Sequence, residues 1–135
     1  MIEIAADVHA RLLELAGGEL ERGGLVFTDE GRFVLFGELP NIAPVPTHQY
    51  EAHPLAVLGL AMAAYGLGRG LSIGAEVHTH PRHEATPSTG DRRFFREVGR
   101  SYPGAVFLIV GTDGVRAWTP KSVELELQLI SDVAA

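Results

Sequence analysis

His78 and His80 stand two residues apart at the end of a stretch, Leu71-Ser72-Ile73-Gly74-Ala75-Glu76-Val77, that reads as a β-strand. Side chains of a strand alternate between its faces, so both imidazoles project to the same side. Pro81 has no backbone N–H and should close the strand there. Whatever this chain folds into must therefore hold two imidazoles side by side at a strand end. Beyond the loop, Ser88-x-x-Asp91 has the form of a capping box and predicts a helix from about Thr89 to Val98. Asp91 then falls in the first helical turn, where the helix field favours a carboxylate.

Taken singly, each of these signals has a plain structural reading. A histidine in a strand is most often an ordinary surface or core residue, and Ser88 and Asp91 can do no more than start a helix. Together they form a set of two neutral imidazoles and one carboxylate. That is the number of protein ligands a catalytic zinc uses while keeping a fourth position for water. The chain contains no cysteine, which excludes disulfides, thiolate metal sites and cysteine nucleophiles. A metal here is held by His, Asp or Glu, a donor set that suits zinc.

The 135 residues are expected to form a single domain over 1–135, with enough length to bury a core. Hydrophobic residues at 46% and charged residues at 21% are those of a globular protein. The net charge of −6 argues against nucleic acid as a partner, because phosphate neutralisation needs clustered Lys and Arg. No apolar run reaches the roughly 18 residues of a membrane span, so no membrane role is expected. Met1-Ile2-Glu3-Ile4 lacks a basic and then apolar leader, and the expected location is the cytoplasm.

Val8, Leu12, Leu15 and Ala16 recur at helical spacing and predict a first helix over residues 5–16. Residues 23–36 read as a β-hairpin turning at Asp29-Glu30-Gly31. Residues 39–46 carry three prolines and read as an extended segment or edge strand. A second helix is predicted over 55–67, the histidine strand over 71–80, a buried strand over 105–110, and a strand pairing back over 115–118. Val123, Leu125, Leu127 and Leu129 alternate with polar residues and predict one half-buried strand. The result is a mixed sheet with helices packed on its faces, of α/β or α+β type.

The whole spacing His78-Thr79-His80, seven residues, Ser88, two residues, Asp91 resembles the signature of the JAMM metalloproteases, the catalytic MPN domain. Glu21-Arg22-Gly23-Gly24-Leu25 is similar to the family's upstream glutamate element. Asn41-Ile42-Ala43, Tyr50, the proline-started helix at Pro54, and Pro81 and Pro87 are similar to its bacterial branch. The likeness spans roughly residues 10–118, nearly the whole chain. It implies a cytidine deaminase-like sheet with flanking helices. It also implies one zinc per chain on His78, His80 and Asp91, with Glu21 beside the zinc-activated water as general base and Ser88 donating to the oxyanion.

These roles are chemically coherent. Zinc on three protein ligands brings a water to a pKa of about 7. A hydroxyl donor stabilises the oxyanion, and a carboxylate can move the water's proton to the leaving nitrogen. By strand alternation Glu76 shares the face of both histidines and is a rival for the base; the family pattern favours Glu21. His83 and Glu84 fall in the ligand loop and read as solvent-exposed. His9 and His48 read as surface residues, and Trp118 as core. His53 stands where bacterial relatives carry Asp before the proline.

The resemblance implies hydrolysis of peptide or isopeptide bonds after the C-terminal Gly-Gly of ubiquitin-like proteins. The minimal ligand loop leaves no room for linkage-specific insertions, which points to a ubiquitin-like sulfur carrier as partner. Two other readings stay open. One is an MPN scaffold without catalysis; the other is a zinc hydrolase of a small-molecule amide. The deaminase ligand set needs cysteine, which is absent.

Overall fold

The computed structural model describes residues 1–132. The chain runs β1 (Ile2–Ala5), α1 (Ala6–Leu15), β2 (Gly23–Asp29), β3 (Arg32–Leu39), α2 (Pro54–Gly66), β4 (Ser72–Thr79), α3 (Thr89–Ser101), β5 (Val106–Gly111), β6 (Gly114–Trp118), β7 (Glu124–Leu125) and β8 (Leu127–Ile130). These strands form one sheet in the order β7-β6-β5-β4-β2-β3-β1-β8. The pairs β1–β3, β1–β8 and β4–β5 are parallel, and the remainder antiparallel. This is the mixed sheet with helices that the pattern predicts.

The hairpin β2–β3 turns on two residues, Glu30 at φ 51° and Gly31 at φ 78°. Two successive left-handed residues suit the right-handed twist of paired strands, and Gly31 takes its place without a steric cost. Helix α1 buries Val8, Leu12 and Leu15, the stripe read from the sequence. It begins one residue later than expected, because Ala5 belongs to β1, which pairs with β3 and β8.

The predicted strand over 123–129 is the main correction. It divides into β7, which pairs with β6, and β8, which pairs with β1 at the opposite edge. Only Glu126 separates them, and its carbonyl accepts the Ile2 N–H at 2.7 Å. The two edges of the sheet are thus joined through one residue, and the sheet curls around α1. That helix packs on β1, β3, β5, β6 and β8. Leu129 is 50% exposed, so the alternation does not bury all of its apolar members. A second correction concerns residues 39–46: β3 ends at Leu39, and residues 40–46 form no strand.

Helix α2 starts with His53 as N-cap, its Nδ1 accepting the Leu55 N–H at 3.1 Å, and with Pro54 in the first turn. The imidazole does here what an Asp would do, and the departure at His53 is accommodated locally. The inner side of α2 packs Ala64, Ala56, Val57 and Leu60 over Leu25, Phe27 and Leu39. Leu55, Leu58, Met62 and Tyr65 on its outer side are exposed. On the other flank, Phe95 of α3 stacks on Phe107 of β5, with ring centroids 4.0 Å apart. Trp118 joins that core, as expected. Among the described residues no helix is long and apolar enough to cross a membrane.

Candidate metal centre

Strand β4 lies inside the sheet between β2 and β5, so its C-terminal end is held from both sides. Gly23 pairs with His78. One step further out, the Thr79 N–H donates to Arg22 O at 2.8 Å and the Arg22 N–H to Thr79 Oγ1 at 2.9 Å. On the other side the His80 N–H donates to Val110 O at 2.7 Å. Continuing this antiparallel register sets Glu21 opposite His80. Glu21, like Gly23, then shares a face with both imidazoles.

The loop 81–87 is pinned onto the turn between β5 and β6. The Ala85 N–H donates to Asp113 Oδ1 at 2.7 Å, Thr112 N–H to His83 O at 2.8 Å, and Trp118 Nε1–H to Ala85 O at 3.1 Å. This fixes where α3 begins. Ser88 and Asp91 form the predicted capping box: Asp91 N–H to Ser88 Oγ at 3.1 Å and Ser88 N–H to Asp91 Oδ2 at 3.0 Å. The cap and the site are one arrangement, since the same carboxylate also faces both histidines.

The Nε2 atoms of His78 and His80 are 3.2 Å apart. Asp91 Oδ1 lies 3.1 Å from the first and Oδ2 2.9 Å from the second. The opposite nitrogens face acceptors: His78 Nδ1 meets Glu76 Oε1 at 3.2 Å, and His80 Nδ1 meets the Glu84 carbonyl at 3.1 Å. A carbonyl only accepts, so His80 carries its hydrogen on Nδ1, and in the neutral ring Nε2 is a bare lone pair. With Glu76 holding His78 likewise, two lone pairs and a carboxylate converge on one point, where a cation resolves the conflict. Tetrahedral zinc with bonds of about 2.0–2.1 Å sets neighbouring ligand atoms about 3.3 Å apart, close to these separations. His78, His80 and Asp91 are the group among the described residues that could hold a metal ion, and they fit zinc.

The electrostatics follow from the crowding. Burial disfavours the His78 cation, but the Glu76 and Asp91 carboxylates outweigh it and push His78 well above its ordinary value. Burial alone would raise Asp91, yet its contacts with His78 and His80 hold it far below the carboxylate range. Glu21 is 8% exposed, and burial pushes its carboxyl up. The charges of His78 and His80 oppose that rise, Asp91 adds to it, and His48 opposes it as well. Its backbone is fixed by Glu21 N–H to Pro46 O at 2.8 Å and Asn41 Nδ2–H to Glu21 O at 2.9 Å.

Glu76 sits behind the His78 ring, on the Nδ1 side, away from the Nε2 atoms. Ser88 is at the surface, as are His83, Glu84 and His48, whereas His9 is half-buried. Tyr50, to which the sequence reading gave no role, lies parallel to His78 at 7°, with ring centroids 6.3 Å apart. The Glu84 backbone was also missed; no pattern of side chains signals a carbonyl that orients a ligand. A cleft of about 1400 Å³ opens beside the cluster between α2 and α3, with Val57, Ile73, Phe94, Tyr102 and Phe107 in its walls.

Replacing Asp91 with Ala should remove zinc binding, read as metal per chain after dialysis. It should also weaken the α3 start by about 0.3–1 kcal/mol in chemical denaturation of the zinc-free protein. A variant that keeps one tightly held zinc would show that the carboxylate is not a ligand.

The sequence model of the family described as prokaryotic homologues of the JAB domain matches residues 5–121. A protein of Thermus thermophilus named as a probable TtuB-protein conjugate cleaving protease is 40% identical over 94 residues. That match covers 68% of this chain and 57% of the relative, so the chain spans little more than half of that protein's length. Among solved structures, a Desulfitobacterium hafniense protein superposes with a TM-score of 0.77 at 19% identity, covering 98% of this chain and 95% of the other. A JAB1/MPN domain protein of Archaeoglobus fulgidus gives 0.64 at 17%, covering 97% and 98%. A structure described as a JAMM metalloprotease-like zinc site in the proteasome and signalosome gives 0.59 at 16%, covering 97% and 99%. These three likenesses speak for the fold.

Proposed function

The chain belongs to the family of prokaryotic JAB-domain homologues, and from that premise we propose that it is a zinc-dependent peptidase or isopeptidase. Its substrate on this reading is a ubiquitin-like protein of the sulfur-carrier kind, cut after the C-terminal Gly-Gly. The observation that carries the reading is the meeting of two imidazole nitrogens and the Asp91 carboxylate within 4.8 Å of one another. The family match over residues 5–121 supports treating the chain as one such unit. The name of the Thermus relative, which refers to protein conjugates of TtuB, supports the substrate class.

His78, His80 and Asp91 would hold one zinc. When bound, zinc supplies a Lewis acid that acidifies a water and polarises a carbonyl. The chain's own groups do the rest. Glu21, buried and fixed at its backbone, takes a proton on its carboxylate and returns it to the leaving nitrogen. Its raised affinity for a proton suits both steps. Ser88 Oγ already accepts the Asp91 N–H, which leaves its hydroxyl hydrogen free to donate to the developing oxyanion. Glu76 lies on the far side of the His78 ring and is badly placed to share the proton transfer, which favours Glu21 as the base. The cleft would take the extended tail of the substrate.

The test is to incubate the zinc-loaded protein with ubiquitin-like proteins carrying C-terminal extensions and weigh the products. Cleavage directly after Gly-Gly is expected, abolished by a chelator and restored by zinc. Chelator-sensitive hydrolysis of small amides without cleavage of any fusion would favour the small-molecule hydrolase. A zinc-free protein that binds the fusions uncut would favour the scaffold.

A further inference from the structure

We propose that Glu76 is a positioning residue for His78: it accepts the Nδ1–H hydrogen and so commits Nε2 to the metal. The inference rests on the metal reading of the site and goes beyond it, since Glu76 is neither ligand nor base.

Three observations meet here. The first is the contact itself, Glu76 Oε1 to His78 Nδ1 at 3.2 Å, made by a ring that is 5% exposed. An imidazole has two nitrogens, and only the partner of one decides which tautomer the other presents. His80 has its Nδ1 committed by a carbonyl. His78 has no backbone acceptor there, and the carboxylate two residues back takes that place. The same period-2 alternation that aligns the two imidazoles brings Glu76 to their face.

The second observation is the other oxygen. Glu76 Oε2 is buried and has no hydrogen-bond partner. An anion with a bare, desolvated oxygen is poorly tolerated unless positive charge lies near. A divalent cation on Nε2 makes the Nδ1–H a stronger donor and places positive charge across the ring from the carboxylate. The bare oxygen gains no partner from this, but it gains nearby positive charge when the site is loaded.

The third is the enclosure. Tyr50 lies parallel to the His78 ring, and its hydroxyl donates to Leu39 O at 3.0 Å, so it is anchored to β3 and not to Glu76. Tyr50 limits how the ring can tilt; Glu76 sets which nitrogen points at the metal.

The experiment measures zinc affinity by competition with a chromophoric chelator, in the parent, E76Q and E76A. Loss of an acceptor behind a ligating histidine typically weakens metal binding by about 10–100-fold, the loss expected for E76A. Gln keeps a carbonyl acceptor, so E76Q should stay within about threefold of the parent, the size expected if acceptance rather than charge is what matters. E76A binding zinc as tightly as the parent overturns the proposal, as does E76Q falling as far as E76A. A purely structural role would lower the melting temperature of the zinc-free protein and leave zinc affinity unchanged.

Should E76A fail to fold, the nitrogen-15 spectrum of the zinc-loaded parent decides. His78 is expected to carry hydrogen on Nδ1 and metal on Nε2; the reverse overturns the proposal. A parent that takes up no zinc overturns the metal reading and this inference with it. Tight zinc with an indifferent E76A overturns this inference alone.

Discussion

Exchange of Glu21 for Gln should leave zinc bound and the fold intact while hydrolysis falls by about 10²–10⁴-fold, the range a positioned general base contributes. That loss corresponds to roughly 2.7–5.4 kcal/mol of transition-state stabilisation. Gln matches Glu in volume, and the position is held by its backbone through Pro46 and Asn41, so packing gives no reason for collapse. What changes is the ability to carry a proton. Turnover of a cleavable fusion, metal content and melting temperature are read on the same preparation. Near-parental turnover would remove Glu21 from the chemistry, and loss of zinc would make it a ligand. Glu21 precedes by two residues the Gly23 that pairs with His78, whereas Glu76 touches the Nδ1 side of the His78 ring.

A second large effect is expected two residues on. A Cβ at Gly23 would lie 2.1 Å from Val77 O and 3.0 Å from His78 Cα. Both are backbone atoms of the neighbouring strand and cannot swing away. Gly23→Ala should therefore push β2 and β4 apart at the rung that carries the first histidine. Overpacking of this kind costs about 1–3 kcal/mol and more when backbone must move. Zinc affinity should fall with it, by at least about tenfold, since misplaced supporting groups cost that much. Denaturant unfolding of the zinc-free protein and zinc competition measure the two effects separately. Gly59→Ala provides the contrast: nothing lies within 4 Å of its Cβ, and in the interior of α2 the change should stabilise by about 0.5–1 kcal/mol. Equal, small effects at both positions would show that the approach of the strands is not tight.

The clustering of His78, His80 and Asp91 was legible because every part of it is local. Alternation places His78 and His80 on one face whatever the sheet, and the capping box places Asp91 in the first turn whatever the helix packs on. The hairpin was legible for the same reason, its turn being written in Glu30-Gly31. The upstream glutamate was legible only through the family pattern, since nothing between residues 21 and 78 in the chain says that the two strands are neighbours.

The roles of Glu76 and of the residues after Trp118 show where local reading stops. Alternation gave Glu76 the right face and left two uses for it, base or bystander. Its actual neighbour, His78 Nδ1, depends on rotamers chosen by the surrounding packing. Likewise the alternation from Val123 to Leu129 predicts a strand but not which partner it takes. The chain serves both edges of the sheet in succession, β7 on β6 and β8 on β1. Periods of 2 and 3.6 are properties of a short stretch of backbone, so the amino-acid sequence by itself determined the elements, the shared face of the imidazoles and the capped start of α3. Strand order, the closure of the sheet around α1 and the nitrogen that His78 turns to His80 and Asp91 arise from contacts between distant segments, and only the tertiary structure decided them.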